Sequence, residues 1–136
     1  MKQTNEVSRL AGISKRTLQY YDDEGVLTAK RSKNNYRLYS QDDLEEIWEI
    51  MIYKEIGFDL NEIKQLLSMP DQSRHEQLQF LLKKYANQIQ EIKEKMDFIS
   101  LLMVNGMPQL PPAGECITYK DYIARLIKQD STDHKS

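Results

Sequence analysis

With a single cysteine in 136 residues, the chain cannot form an intramolecular disulfide, and one thiol fits a reducing compartment. It has only two histidines, His75 and His134. The side chains that usually hold transition metals are therefore few and far apart in sequence. The five glycines are scattered and form no phosphate-cradling loop. No apolar run approaches the roughly 18 residues needed to span a bilayer. The opening residues MKQTNEV lack the apolar core of a secretion signal. These absences argue against an enzyme and against a membrane protein. The expectation is a cytoplasmic chain with no cofactor and no bound metal.

The residues that are present describe a folded protein. At 40% hydrophobic and 29% charged, the composition is that of a globular chain rather than a disordered one. The net charge of −2 conceals an asymmetry. Residues 1–40 carry eight Lys or Arg against four acids, whereas the remainder carries eleven against seventeen. Phosphate contacts act over about 10 Å at 0.1 M salt, so a local basic face matters more to a nucleic-acid partner than the total.

Thr4 is the expected N-cap of a first short helix, with Val7, Leu10 and Ala11 on its apolar face. Gly12 permits the turn that follows, where a positive φ is often needed. Ser14 caps a second helix whose core side is Leu18 and Tyr21, and Gly25 suits its end. An Asn34-Asn35 turn then joins two short strands, the second ending in Tyr36-Arg37-Leu38-Tyr39. Ser40 with Asp43, and Asp59 with Glu62, are capping boxes for two further helices. The first of these has Leu44, Ile47, Trp48, Met51 and Ile52 at helical spacing. The second has Leu60, Ile63, Leu66 and Leu67, and Pro70 closes it.

Beyond Pro70 the period changes. Leu78, Leu82, Tyr85, Ile89, Ile92, Met96, Ile99 and Met103 are spaced alternately by four and three, the seam of a coiled coil. A seam of that length needs a partner to bury it, so the reading is a dimerisation helix rather than a core helix. Phe80, Leu81, Phe98 and Leu102 lie off the seam. Gly106, Pro108, Pro111 and Pro112 break the helix. Thr118 and Asp121 start a last short helix with Tyr119, Tyr122, Ile123, Leu126 and Ile127, and a polar tail follows. The domain reading is 1–70 for a winged helix-turn-helix, 71–105 for the coiled-coil helix, and 106–136 for a loop, helix and tail. The fold class is mainly α.

A helix-turn-helix with a basic wing suits duplex DNA. The second helix presents its N-terminal residues to the major groove, which makes Lys15, Arg16, Thr17, Gln19 and Tyr20 the candidate contacts. Arg pairs with guanine and Gln with adenine, whereas hydroxyls and lysines more often hold phosphates. Lys33, Tyr36 and Arg37 of the wing are placed for the flanking backbone. Leu18, Tyr21 and Leu38 read instead as core.

The blocks GISKRTLQYYDDEGVL, NNYRLYSQDDLEEI and KEIGFDLNEIKQLL, in that order and spacing, resemble the MerR family of bacterial transcription regulators over residues 3 to about 69. The resemblance implies a homodimer held by an antiparallel pairing of the long helices and bound to a pseudo-palindromic promoter. It also implies that an effector lets the dimer distort the promoter spacer for RNA polymerase. Two positions depart from the family pattern. Gln19 stands where Arg is usual, and Ala29 lies where a Pro is common.

The signal is less determined. The metal-sensing branch of that family places several cysteines near the end of the dimer helix, and this chain has only Cys116 there. Cys116, Tyr119 and Tyr122 are the candidate effector residues, for a thiol-reactive compound or for a small organic molecule that Trp48 and Phe98 would also help to stack. Two other readings are open: an architectural DNA binder without an effector, and a coiled-coil interaction module.

Overall fold

The computed structural model describes residues 1–114 and 116–133. His134 and the rest of the expected tail lie outside the described residues, as does Glu115. The chain divides into two units, Met1–Arg74 and His75–Ser136.

The N-terminal unit begins with a short strand that the sequence did not suggest. β1 (Lys2–Gln3) pairs antiparallel with β3 (Arg37–Tyr39), which pairs on its other edge with β2 (Lys30–Arg31). Its register sets Lys2 opposite Tyr39 and Gln3 opposite Leu38. Because the strand leads directly into α1 (Thr4–Ala11), Gln3 occupies the N-cap and Thr4 is the first helical residue. The expected Thr4 cap is therefore wrong: the strand takes the extended residue one position earlier. Gly12 ends α1 at φ 71°. Ser14 caps α2 (Lys15–Asp23) by accepting from the Thr17 amide at 3.0 Å. In the β2–β3 turn, Asn35 holds φ 66°, a conformation its short amide tolerates.

Both expected capping boxes are formed. Ser40 and Asp43 exchange side-chain and backbone bonds at the start of α3 (Gln41–Ile56). Asp59 and Glu62 do the same for α4 (Leu60–Leu67). The core is Val7, Leu18, Tyr21, Tyr39, Ile47, Ile50, Ile63 and Leu66. Two apolar faces differ from expectation. Leu10 on α1 is 65% exposed, leaving Val7 as that helix's anchor. On α3 the buried pair is Ile47 and Ile50, while Trp48 is 67% exposed and Ile52 largely accessible. Leu38 is half-buried, with Tyr39 taking the core position beside it.

Arg74 fixes the end of this unit. Its guanidinium donates to the Leu67 carbonyl at 2.9 Å and the Met69 carbonyl at 3.1 Å, and it pairs with Glu49 at 3.5 Å. It thus satisfies carbonyls left open where α4 stops and ties them to α3.

The second unit contains most of α5 (Asp71–Asn105) and α6 (Tyr119–Asp133). At 35 residues, α5 is about 52 Å long. It buries none of its residues within one copy of the chain. Among the described residues, no helix is long and apolar enough to cross a membrane.

Candidate nucleic-acid interface

The sequence of α2 separates its two sides. Leu18 and Tyr21 are driven into the core at 1% and 2% exposure, which turns Lys15, Arg16 and Tyr20 outward. Thr17 and Gln19 are half-buried at the margin of that face. Neither is idle. The Thr17 hydroxyl lies 2.9 Å from the Ser14 hydroxyl in the cap. The Gln19 amide donates to the Asp23 carboxylate at 2.8 Å, which fixes the orientation of the side chain at the position where the sequence departs from the family pattern.

In the wing, Lys33 and Tyr36 are exposed at the hairpin end. Arg37 is placed differently. Its Nε donates to Asp22 Oδ2 at 2.8 Å, with both side chains mostly buried. Arg31 approaches the same oxygen at 3.5 Å from a more exposed position. The guanidinium expected to reach the DNA backbone is therefore already engaged by the recognition helix, and one carboxylate gathers two wing arginines. Nothing local in the sequence announces this contact, since Asp22 and Arg37 are 15 residues apart.

The structure also adds residues that the sequence reading omitted. Gln3, Thr4 and Asn5 join Tyr36 and Arg37 around a recess of about 220 Å³. The recess exists because β1 pairs with β3, and only the alternation of Lys2 and Gln3 with a wing strand could have hinted at it. Beneath it, burial pushes the Tyr39 hydroxyl's pKa above its ordinary value. That hydroxyl has no hydrogen bond of standard geometry among the described residues, and Thr4 satisfies it only in part.

Along α5, Leu82, Ile89, Ile92, Met96, Ile99 and Met103 are 54–81% exposed in one copy, and Leu78 and Tyr85 are 38% exposed. Cys116 is a free, exposed thiol in the loop before α6. Tyr119 is exposed and Tyr122 half-buried on α6, while Trp48 belongs to α3 in the other unit. Among the described residues, no three or more His, Cys, Asp or Glu side chains are grouped to hold a metal ion.

Comparison with known proteins now has a geometry to match. A family model described as MerR HTH family regulatory protein matches residues 3–69, and one described as MerR, DNA binding matches residues 44–103. The HTH-type transcriptional activator mta of Bacillus subtilis is 35% identical over 137 residues, covering 98% of this chain and 50% of the activator. This chain thus spans about half the length of that relative. The crystal structure of the N-terminus of the Bacillus subtilis multidrug transporter activator superposes with a TM-score of 0.70 at 34% identity, over 77% of this chain and 100% of that one. HiNmlR, a MerR family regulator lacking the sensor domain and crystallised on promoter DNA, superposes at 0.53 with 25% identity, over 81% of this chain and 98% of the other. From residue 3 to residue 103 the winged helix-turn-helix and the long helix after it are those of one group: the chain belongs to the MerR family of helix-turn-helix regulatory proteins.

Proposed function

We propose that this chain is a DNA-binding transcription regulator that acts as a homodimer on a pseudo-palindromic promoter. The observation that carries the reading is the division of α2. Lys15, Arg16 and Tyr20 face outward beside an exposed basic hairpin, while Leu18 and Tyr21 anchor the helix from behind. In this reading Arg16 and Gln19 contact base edges. Lys15, Thr17, Tyr20, Lys33 and Tyr36 hold phosphates and set the register. Arg37 acts mainly by holding the wing in place.

Residues 1–70 are the reading head, 71–105 the dimerisation helix, and 106–136 the segment that receives a signal. Six seam residues more than half exposed on one copy support an antiparallel pairing of two α5 helices. Two heads joined in this way read two half-sites. RNA polymerase uses the promoter when an effector lets the dimer bend and untwist the spacer, a deformation costing on the order of 1–6 kcal/mol.

The test is a footprint on the DNA upstream of the protein's own gene, repeated at several salt concentrations. The expected result is one protected palindrome between promoter elements, with affinity falling steeply as salt rises through counterion release. Salt-insensitive binding, or protection with no symmetric site, would overturn the reading.

A further inference from the structure

The end of α5, the proline-containing loop and α6 line a recess of about 320 Å³ that is partly open to solvent. Its walls include Phe98 and Leu102 from α5, Met107 and Leu110 from the loop, and Tyr122 and Leu126 from α6. Among the described residues, none that lines it carries a formal charge. We propose that this cavity binds an uncharged aromatic small molecule and is where the regulator receives its signal, the second clause resting on the function proposed above.

The size lies at the lower end of ordinary ligand pockets, which run from about 300 to 1,000 Å³ and are mostly apolar with a few polar groups. The lining residues with polar side-chain groups are Tyr119, Tyr122 and Gln109. They allow a ligand one or two hydrogen bonds without an ionic partner. A carboxylate would lose hydration in such a site and meet no basic side chain among the described lining residues, and a cation would find ring faces there but no carboxylate. The rings of Phe98, Tyr119 and Tyr122 favour a flat aromatic body, which stacks offset or edge to face.

Pairing along the proposed seam would leave this recess open. At 3.6 residues per turn, Phe98 and Leu102 lie roughly 90–130° around α5 from the midline of the seam residues Met96 and Ile99. A second copy paired along the seam therefore covers a different flank of the helix. Nor can the loop close the space by extending α5. Gly106 leaves the helix at φ 75°, and Pro108, Pro111 and Pro112 cannot continue it. Cys116 is exposed in the same loop and does not line the cavity, so the chemistry assigned here is binding rather than thiol modification.

Calorimetric titration of the full chain with 2-naphthol and with 2-naphthoate tests the proposal. The two probes share a ring system and differ in charge. The expected result is saturable binding of 2-naphthol at one molecule per chain, with 2-naphthoate at least ten-fold weaker. Leu102→Trp, which fills the space, lowers 2-naphthol affinity at least ten-fold while the protein stays helical and dimeric. Tyr122→Phe, which removes one hydroxyl and keeps the ring, provides a milder check should the tryptophan disturb folding. It lowers naphthol affinity several-fold with no change in helix content. No saturable naphthol binding, naphthoate as tight as naphthol, or both variants binding like the wild type would overturn the site. Operator binding measured without any probe separates the two readings. If it is lost while naphthol still binds, the regulator reading falls and the cavity stands. If it is intact while naphthol does not bind, the cavity falls alone.

Discussion

Arg37 of the wing donates to Asp22 of the recognition helix over 2.8 Å, and the two side chains are only 16% and 13% exposed. With Arg31 on the same carboxylate, the pair joins the helix proposed to enter the groove to the hairpin proposed to flank it. Simple electrostatics says that removing Asp22 should tighten DNA binding, because a negative charge leaves a basic face. Positioning says the opposite, because two arginines lose the anchor that orients the wing. We expect positioning to win. Asp22→Asn should weaken operator affinity about ten-fold, or about 1.4 kcal/mol. It should also lower stability by about 1.5–3 kcal/mol, the usual scale for a hydrogen bond to a charged group. Affinity measured well below the melting temperature keeps the two effects apart, and tighter binding by the variant would reverse the assignment.

How much of this was readable beforehand depended on distance along the chain. Ser14, Ser40 with Asp43, and Asp59 with Glu62 act within three residues, so the caps follow from composition and spacing alone. The unbroken length of α5 was legible because eight apolar positions keep one alternating four-three spacing along it. The buried side of α3 was not. Ile47, Trp48, Ile50, Met51 and Ile52 wrap much of the helix circumference, so spacing alone cannot choose a face, and packing chose Ile47 and Ile50. β1 is two residues long and exists only through pairing with Leu38 and Tyr39, a contact no local pattern encodes. Among the site residues, the outward side of α2 could be read from Leu18 and Tyr21. That Arg37 is held by Asp22, and that the α5–α6 loop helps line a recess, arise only once distant segments meet.

The proposed dimer seam yields a sharp expectation at its centre. Ile92 is 56% exposed in one copy and sits mid-seam. Ile92→Lys would place an ammonium group from each protomer in an apolar interface, where an unpaired charge is strongly disfavoured. The variant should elute as a monomer by size-exclusion chromatography with light scattering. Its operator affinity should fall at least a hundred-fold, since one head reads only one half-site. A dimer that keeps full operator binding would remove α5 as the interface.

Tyr39 offers a case where losing a polar atom should cost little. Its ring is 2% exposed, and its hydroxyl is buried with only partial satisfaction from Thr4. A well-bonded hydroxyl typically contributes about 1 kcal/mol, whereas a poorly bonded buried one carries a desolvation penalty. Tyr39→Phe should therefore be neutral or stabilising by up to about 1 kcal/mol in urea unfolding. A loss above that size would mean the hydroxyl is well bonded after all.

Glu46 carries the clearest pH dependence. Glu46 is exposed, yet partial desolvation raises its pKa above the ordinary 4.5, and Asp43, Glu49 and Asp42 on the same helix add repulsion in the same direction. A carboxyl that holds its proton more tightly when folded binds more protons in the native state, so stability falls as pH rises through the shifted value. The penalty is absent below the ordinary pKa and fully present at neutral pH. Glu46→Gln removes the ionisation and with it the penalty. The variant should melt higher than wild type at pH 7, and the gap should shrink towards zero as the pH is lowered to about 4, near the ordinary glutamate value. Parallel thermal melts between those limits check the shape as well as the sign. A gap that is constant with pH would assign the gain to something other than charge, and a variant that melts lower at pH 7 would mean the Glu46 carboxylate is stabilising where it sits.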